Sequence, residues 1–120
     1  MIVGYYPGWD NGFVRNYLNE LRQDGQRKKA AARLIQDIQD LQISWPPANH
    51  LTVRIMKGHE PLWELKREYQ SIAYRVFFCT KGQDIWLLHS IEKKKQKTPS
   101  GDLKTAYDRM QNVLTGKVRR

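Results

Sequence analysis

Residues 51–91 read LTVRIMKGHEPLWELKREYQSIAYRVFFCTKGQDIWLLHSI, and their periodicity decides the fold. Leu51, Val53 and Ile55 alternate with Thr52, Arg54 and Met56, the period of two that a half-buried strand requires. Lys57-Gly58 turns the chain. Leu62 to Glu68 forms a second strand, with Trp63, Leu65 and Arg67 on one face and Glu64 and Lys66 on the other. Ala73 to Thr80 is a third and Ile85 to Ile91 a fourth, joined by the hairpin turn Lys81-Gly82-Gln83-Asp84. Consecutive strands on short turns pair antiparallel, so this stretch is a meander.

On both sides of the meander the pattern becomes helical. Upstream, Met1 to Tyr6 is a short β-branched and aromatic strand ended by Pro7-Gly8. Asp10-Asn11-Gly12 supplies capping residues for a helix with Phe13, Tyr17, Leu18 and Leu21 at helical spacing. Gly25 breaks that helix. A second starts near Gln26 or Arg27, carries the stripe Ala31, Leu34, Ile35, Ile38 and Leu41, and stops at Trp45-Pro46-Pro47. Downstream, Thr98-Pro99-Ser100 opens a last helix with the stripe Leu103, Ala106, Tyr107, Met110, Val113 and Leu114. Gly116 caps it, and residues 117–120 are expected to form a loose tail. The expected fold is α+β: strand, two helices, an antiparallel meander and a C-terminal helix, with the helices packed on one face of the sheet. Residues 1–120 form one expected domain, without a repeat or a linker.

The chain carries 21 Lys and Arg against 12 Asp and Glu, a net charge of +9. The excess is uneven. Residues 1–53 hold six cations against five anions, residues 54–97 ten against five, and residues 98–120 five against two. Such asymmetry points to a polyanion or an acidic partner. No apolar run reaches membrane-spanning length, and Met1 to Tyr6 lacks the charged and apolar regions of a signal peptide. The single cysteine, Cys79, excludes a disulfide within the chain. A cytoplasmic location, with no membrane partner, is the expectation.

Three segments resemble one family. Lys57-Gly58-His59-Glu60-Pro61-Leu62-Trp63-Glu64-Leu65-Lys66 is similar to its "KGHEGLWELR", Tyr74 to Phe78 to its "YRVFY", and Leu87 to Pro99 to its "LLHGFVKKTQKTP". Asp102, Ala106 and Arg109 sit where its last helix reads "E…A..R", and Phe13 to Leu21 resembles its early helix. The family is the phage-derived, HigB-like branch of the RelE/ParE toxin superfamily. The resemblance implies a RelE-like fold and the toxin of a type II toxin–antitoxin pair, a ribosome-dependent mRNA endoribonuclease that works without metal or cofactor. The implied partners are mRNA on the ribosome and a cognate antitoxin, a small helix-turn-helix DNA-binding protein. The superfamily also holds ParE-like gyrase poisons, and a non-catalytic phage-derived RNA-binding domain is a third possibility. This sequence departs from the pattern at Ser90-Ile91, at Lys95, and at Lys66 where Arg is common.

Metal-free cleavage of this kind is attack of a 2′-OH on the adjacent phosphate, and cations aimed at the gathering negative charge supply its largest stabilisation. Arg75 is the first candidate, because a mid-strand arginine can fork onto phosphate oxygens; the competing reading is an ion pair to Glu64 or Glu68. Lys93 and Lys94 match the paired lysines of the motif. A lysine there could touch the phosphate, take the 2′-OH proton or give one to the leaving oxygen. Lys66 is a second phosphate contact. Glu64 is an alternative base, or the group that orients Lys66 or Arg75. Lys95, Lys97 and Arg67 are assigned to RNA attraction, and His89 to RNA contact or acid work against a structural alternative. The resemblance implies a site role for Tyr107, against which its place on the helical stripe argues for the core. His50 and His59 fall in separate loops, so no metal site is expected. Cys79 reads as a packing residue.

Overall fold

The computed structural model describes residues 1–93 and 98–120. The elements, in chain order, are β1 (Ile2–Tyr5), α1 (Phe13–Gln23), α2 (Lys28–Ile43), β2 (Thr52–Ile55), β3 (Trp63–Tyr69), β4 (Ile72–Lys81), β5 (Asp84–Lys93) and α3 (Ser100–Leu114). They build a five-stranded sheet in the order β1-β5-β4-β3-β2. The meander β2 to β5 is antiparallel throughout, as its short turns require. β1 joins the far edge parallel to β5, with Val3 opposite Ile85. Gly4 in β1 accommodates a close approach, since a Cβ there would lie 1.9 Å from the Trp9 ring.

The expectation that all helices pack on one face is wrong. Leu65, Tyr74, Val76, Phe78, Ile85 and Leu87 form one core with α1 and α2. Phe77, Cys79, Trp86 and Leu88 form a second, against Ala106, Met110 and Val113 of α3. The reason lies in β4 and β5, which occupy the middle of the sheet and are buried on both faces. Their apolar residues run consecutively (Val76 to Cys79, Ile85 to Leu88), and a strand with no polar alternation must be covered from both sides.

Two smaller expectations also change. In α1 the buried residues are Val14, Leu18 and Leu21, and Phe13 is 50% exposed instead of lying on the buried stripe. The C-terminal residues are tied down: Val118 N–H donates to Asn112 O (3.0 Å), Arg120 pairs with Asp84 (3.0 Å), and the Arg120 guanidinium lies 4.6 Å over the Trp9 ring.

β5 contains a bulge that matters for everything downstream. Phe77 pairs with His89 but Phe78 pairs with Leu87, so Leu88 is an extra residue. Before the bulge, Trp86 and Leu88 face α3; after it, His89, Ile91 and Lys93 do. The bulge therefore changes the parity of the strand and decides which side of the sheet the motif lysine joins.

Candidate nucleic-acid interface

The register places three rows of residues on the face that carries α3. Arg54, Glu64, Phe77 and His89 stand opposite one another across β2 to β5. Thr52, Lys66, Arg75 and Ile91 form the next row, and Glu68, Ala73 and Lys93 the third. Adjacent strands lie ~4.8 Å apart and same-face neighbours along a strand ~6.7 Å apart. The three rows therefore gather Arg54, Lys66, Arg75 and Lys93 onto a patch roughly 14 Å on a side. α3 packs over Phe77, Trp86, Leu88 and Ile91, Glu64 and Arg75 are buried, and Arg54 remains 55% exposed.

Glu64 holds the patch together. It is fully buried, and its carboxylate accepts hydrogen bonds from Arg75 Nη1 (3.0 and 3.1 Å), Arg54 Nε (3.0 Å) and Thr98 Oγ1 (3.1 Å). A lone buried carboxylate is costly, whereas one bound to two guanidiniums and a hydroxyl is compensated. Thr98 directly follows the basic run, so Glu64 anchors the start of the α3 segment onto β3. Arg75 is 1% exposed and shares its Nη1 between the two Glu64 oxygens, realising the ion pair that competed with a phosphate role. Lys66 pairs with exposed Glu68 (2.9 Å), an exchangeable surface contact of small worth.

Across Phe77 from Glu64, His89 makes a second network. Its ring stacks near Phe77, its Nε2 lies 2.8 Å from Asp102 Oδ1, and its Nδ1 lies 3.3 Å from Arg109 Nη1. A guanidinium can only donate, so Nδ1 accepts and the hydrogen sits on Nε2, bonded to Asp102. His89 is thus held in one tautomer by α3. Arg109 also donates to Leu88 O (2.9 Å). Burial pulls the Arg109 guanidinium below its ordinary pKa, partly offset by Tyr6.

Glu64, Lys66, Arg75, His89 and Lys93 thus share one face. Arg67, expected among the RNA-attracting residues, does not join them: it stands on the opposite face and forks onto Asp37 of α2 (2.6 and 2.7 Å), which raises its pKa. Lys94, Lys95 and Lys97 lie outside the described residues. Sequence reasoning missed Arg54 and Thr98. The alternation of Thr52, Arg54 and Met56 gives Arg54 its parity, but only the pairing with β3 brings it to Glu64. Tyr107 is partly buried against α3's core, with its ring edge-on to His59 at 5.3 Å. Among the described residues, no group of three or more His, Cys, Asp or Glu is placed to hold a metal, and no helix is long and apolar enough to cross a membrane.

Fold and face together define a small basic α+β protein with a cation-rich, partly open sheet surface. Residues 14–111 match the sequence profile of the family described as Phage derived protein Gp49-like (DUF891), and the chain belongs to that family. It is a toxin-like family related to RelE and HigB. No curated protein and no solved structure matches the chain significantly.

Proposed function

We propose that the protein is the toxin of a type II toxin–antitoxin pair, a ribosome-dependent endoribonuclease acting without metal. The observation that carries the reading is the convergence of Arg54, Lys66, Arg75 and Lys93 on one sheet face, with Glu64 and Glu68 as the only carboxylates in those three rows. That is the electrostatics a phosphate needs as its oxygens gain charge. The 2′-oxygen forms a bond to phosphorus as the bond to the 5′-oxygen breaks, leaving a cyclic phosphate and a 5′-hydroxyl. The 2′-OH proton goes to a base and the leaving oxygen receives one. Lys93, on the open face at the end of β5, or Lys94 is assigned the phosphate contact or a proton transfer. Arg54, Glu64 and Arg75 form one cluster of net charge +1, and Lys66 stands beside it, paired with Glu68. The ribosome supplies substrate orientation, so free RNA is a poor substrate. A small helix-turn-helix antitoxin would neutralise the basic face or bar it from the ribosome.

Single-turnover cleavage on translating ribosomes tests this. Lys93→Ala should lower the rate at saturation with affinity nearly kept, whereas loss of Lys95 or Lys97 should weaken binding and flatten its salt dependence by ~0.7 per phosphate contact. Absence of cleavage by the wild type on ribosomes refutes the reading. One observation favours a second reading, a non-catalytic RNA-binding domain: the two groups best suited to transition-state work, Arg75 and Glu64, are buried against each other. RNA binding without cleavage would select it.

A further inference from the structure

Beside the cationic rows lies an aromatic feature to which the reading above gives no role. Phe13, first residue of α1, is half exposed although large and apolar. Its ring is near-parallel to that of Tyr6, with centroids 6.3 Å apart at 25°. The Arg109 guanidinium lies 4.1 Å from the centre of the Phe13 ring and 5.5 Å from that of Tyr6. Arg109 is itself fixed by Leu88 O and by His89 Nδ1, and the Tyr6 hydroxyl accepts from Asn112 Nδ2 at 2.9 Å. An exposed phenylalanine normally has rotational freedom; this one is backed by a guanidinium that α3 and β5 hold in place. The ring is therefore a preorganised π-surface, made more electron-poor by the cation behind it.

Position gives the surface a partner. Arg109 touches His89, the last member of the row Arg54–Glu64–Phe77–His89. His89 and Lys93 lie four residues apart on one strand face, ~13 Å along β5. A single-stranded polyanion lying on the cations would carry its bases past Phe13. We propose that Phe13, backed by Arg109, is a stacking subsite for one nucleobase of single-stranded RNA next to the cationic rows. The inference rests on the reading of the open face as RNA-binding, but not on cleavage. Stacking reads a base's face and not its edge, so the subsite tolerates any base and prefers purines for their larger surface.

The test is binding of the full-length protein to short single-stranded RNA oligonucleotides across a salt series. Phe13→Ala should weaken binding roughly 5- to 150-fold, the range for loss of one stacked base, with the salt slope unchanged because no phosphate contact is removed. Phe13→Trp should restore or exceed wild-type affinity. Oligonucleotides with one abasic position, walked along the strand, should include one against which Phe13→Ala costs nothing further, which identifies the stacked base. Phe13→Ala should leave the melting temperature within a few degrees, since the side chain is half exposed. Equal binding by wild type and Phe13→Ala, a penalty that no abasic position removes, or no RNA binding by the wild type overturns the subsite. If the Phe13 signature is present while ribosomes carry uncut mRNA, the subsite stands and the endoribonuclease reading falls. If ribosomal cleavage is intact and Phe13→Ala binds and cuts as wild type, the reverse holds.

Discussion

Replacing Glu64 by Gln should cost more stability than any surface change, and the size of the loss follows from its surroundings. Glu64 and Arg75 are 0% and 1% exposed, so neither charge can be rehydrated without opening the sheet. Oε1 accepts from Arg54 Nε and Arg75 Nη1, and Oε2 from Arg75 Nη1 and Thr98 Oγ1. A glutamine must direct its amide NH2 at one of these sets of donors, and it leaves the Arg75 charge facing a neutral group. Removing one partner of a buried ion pair costs about 3–5 kcal/mol. Unfolding entropy near the melting temperature is ~2.1 cal/mol/K per residue, or ~0.25 kcal/mol/K for a chain of this length, so each kcal/mol corresponds to ~4 °C. Glu64→Gln should therefore lower the melting temperature by about 12–20 °C, read by calorimetry or circular dichroism at neutral pH. Glu64→Gln/Arg75→Met, which removes both charges, should recover much of that loss, because an apolar replacement of a buried pair is often close to neutral. A drop below ~4 °C for Glu64→Gln, or a double variant as unstable as the sum of the singles, would refute the claim that the buried pair anchors this face.

Two further predictions concern groups whose titration the fold displaces. Burial pushes the Cys79 thiol up to about 12, only slightly opposed by Lys81, so at a pH of ~8 about one molecule in ten thousand carries a thiolate; iodoacetamide should label Cys79 no faster than the protein unfolds, and labelling within minutes in the native state would contradict the packing of β4 against α3. Burial also pushes the Tyr17 phenol up to about 12 from its ordinary 10.0, against the pull of Arg27, and its hydroxyl donates to Glu92 at the end of β5. A phenol whose pKa is higher folded than unfolded contributes stability that is whole below its unfolded value and is lost as pH climbs through the folded one. Urea melts should show stability falling from about pH 10 toward 12, and Tyr17→Phe should remove that part of the fall; an identical alkaline profile for the variant would exclude Tyr17 as its source.

Much of the architecture is local, and the sequence alone determines it. The period of two in residues 51–56 and 62–68, the turn at Gly82 and the helical stripes of α2 and α3 follow from chain geometry at distances of a few residues, and each element forms where those patterns run. The same alternation correctly separates Glu64 and Lys66 from Arg67. The basic motif around Lys93 and the charge excess of residues 54–97 are also written in the chain. Tertiary structure decided what depends on a partner. Alternation assigns a residue to a face of its strand, but not to the side of the sheet that receives α1 and α2 or the side that receives α3. The consecutive apolar residues of β4 and β5 already implied cover on both sides, a signal that the meander reading passed over. Nothing local announces the extra residue at Leu88, because a bulge exists only relative to the opposing strand. That residue turns Lys93 to the face of Lys66 and Arg75. β1 likewise finds its place beside β5 only through long-range pairing. Arg54 and Thr98 reach Glu64, and Arg109 reaches Phe13, across separations of 10, 34 and 96 residues. A side chain's own neighbours in sequence carry no record of such contacts, because they are set by how the packed elements cross and not by the propensity of any one of them.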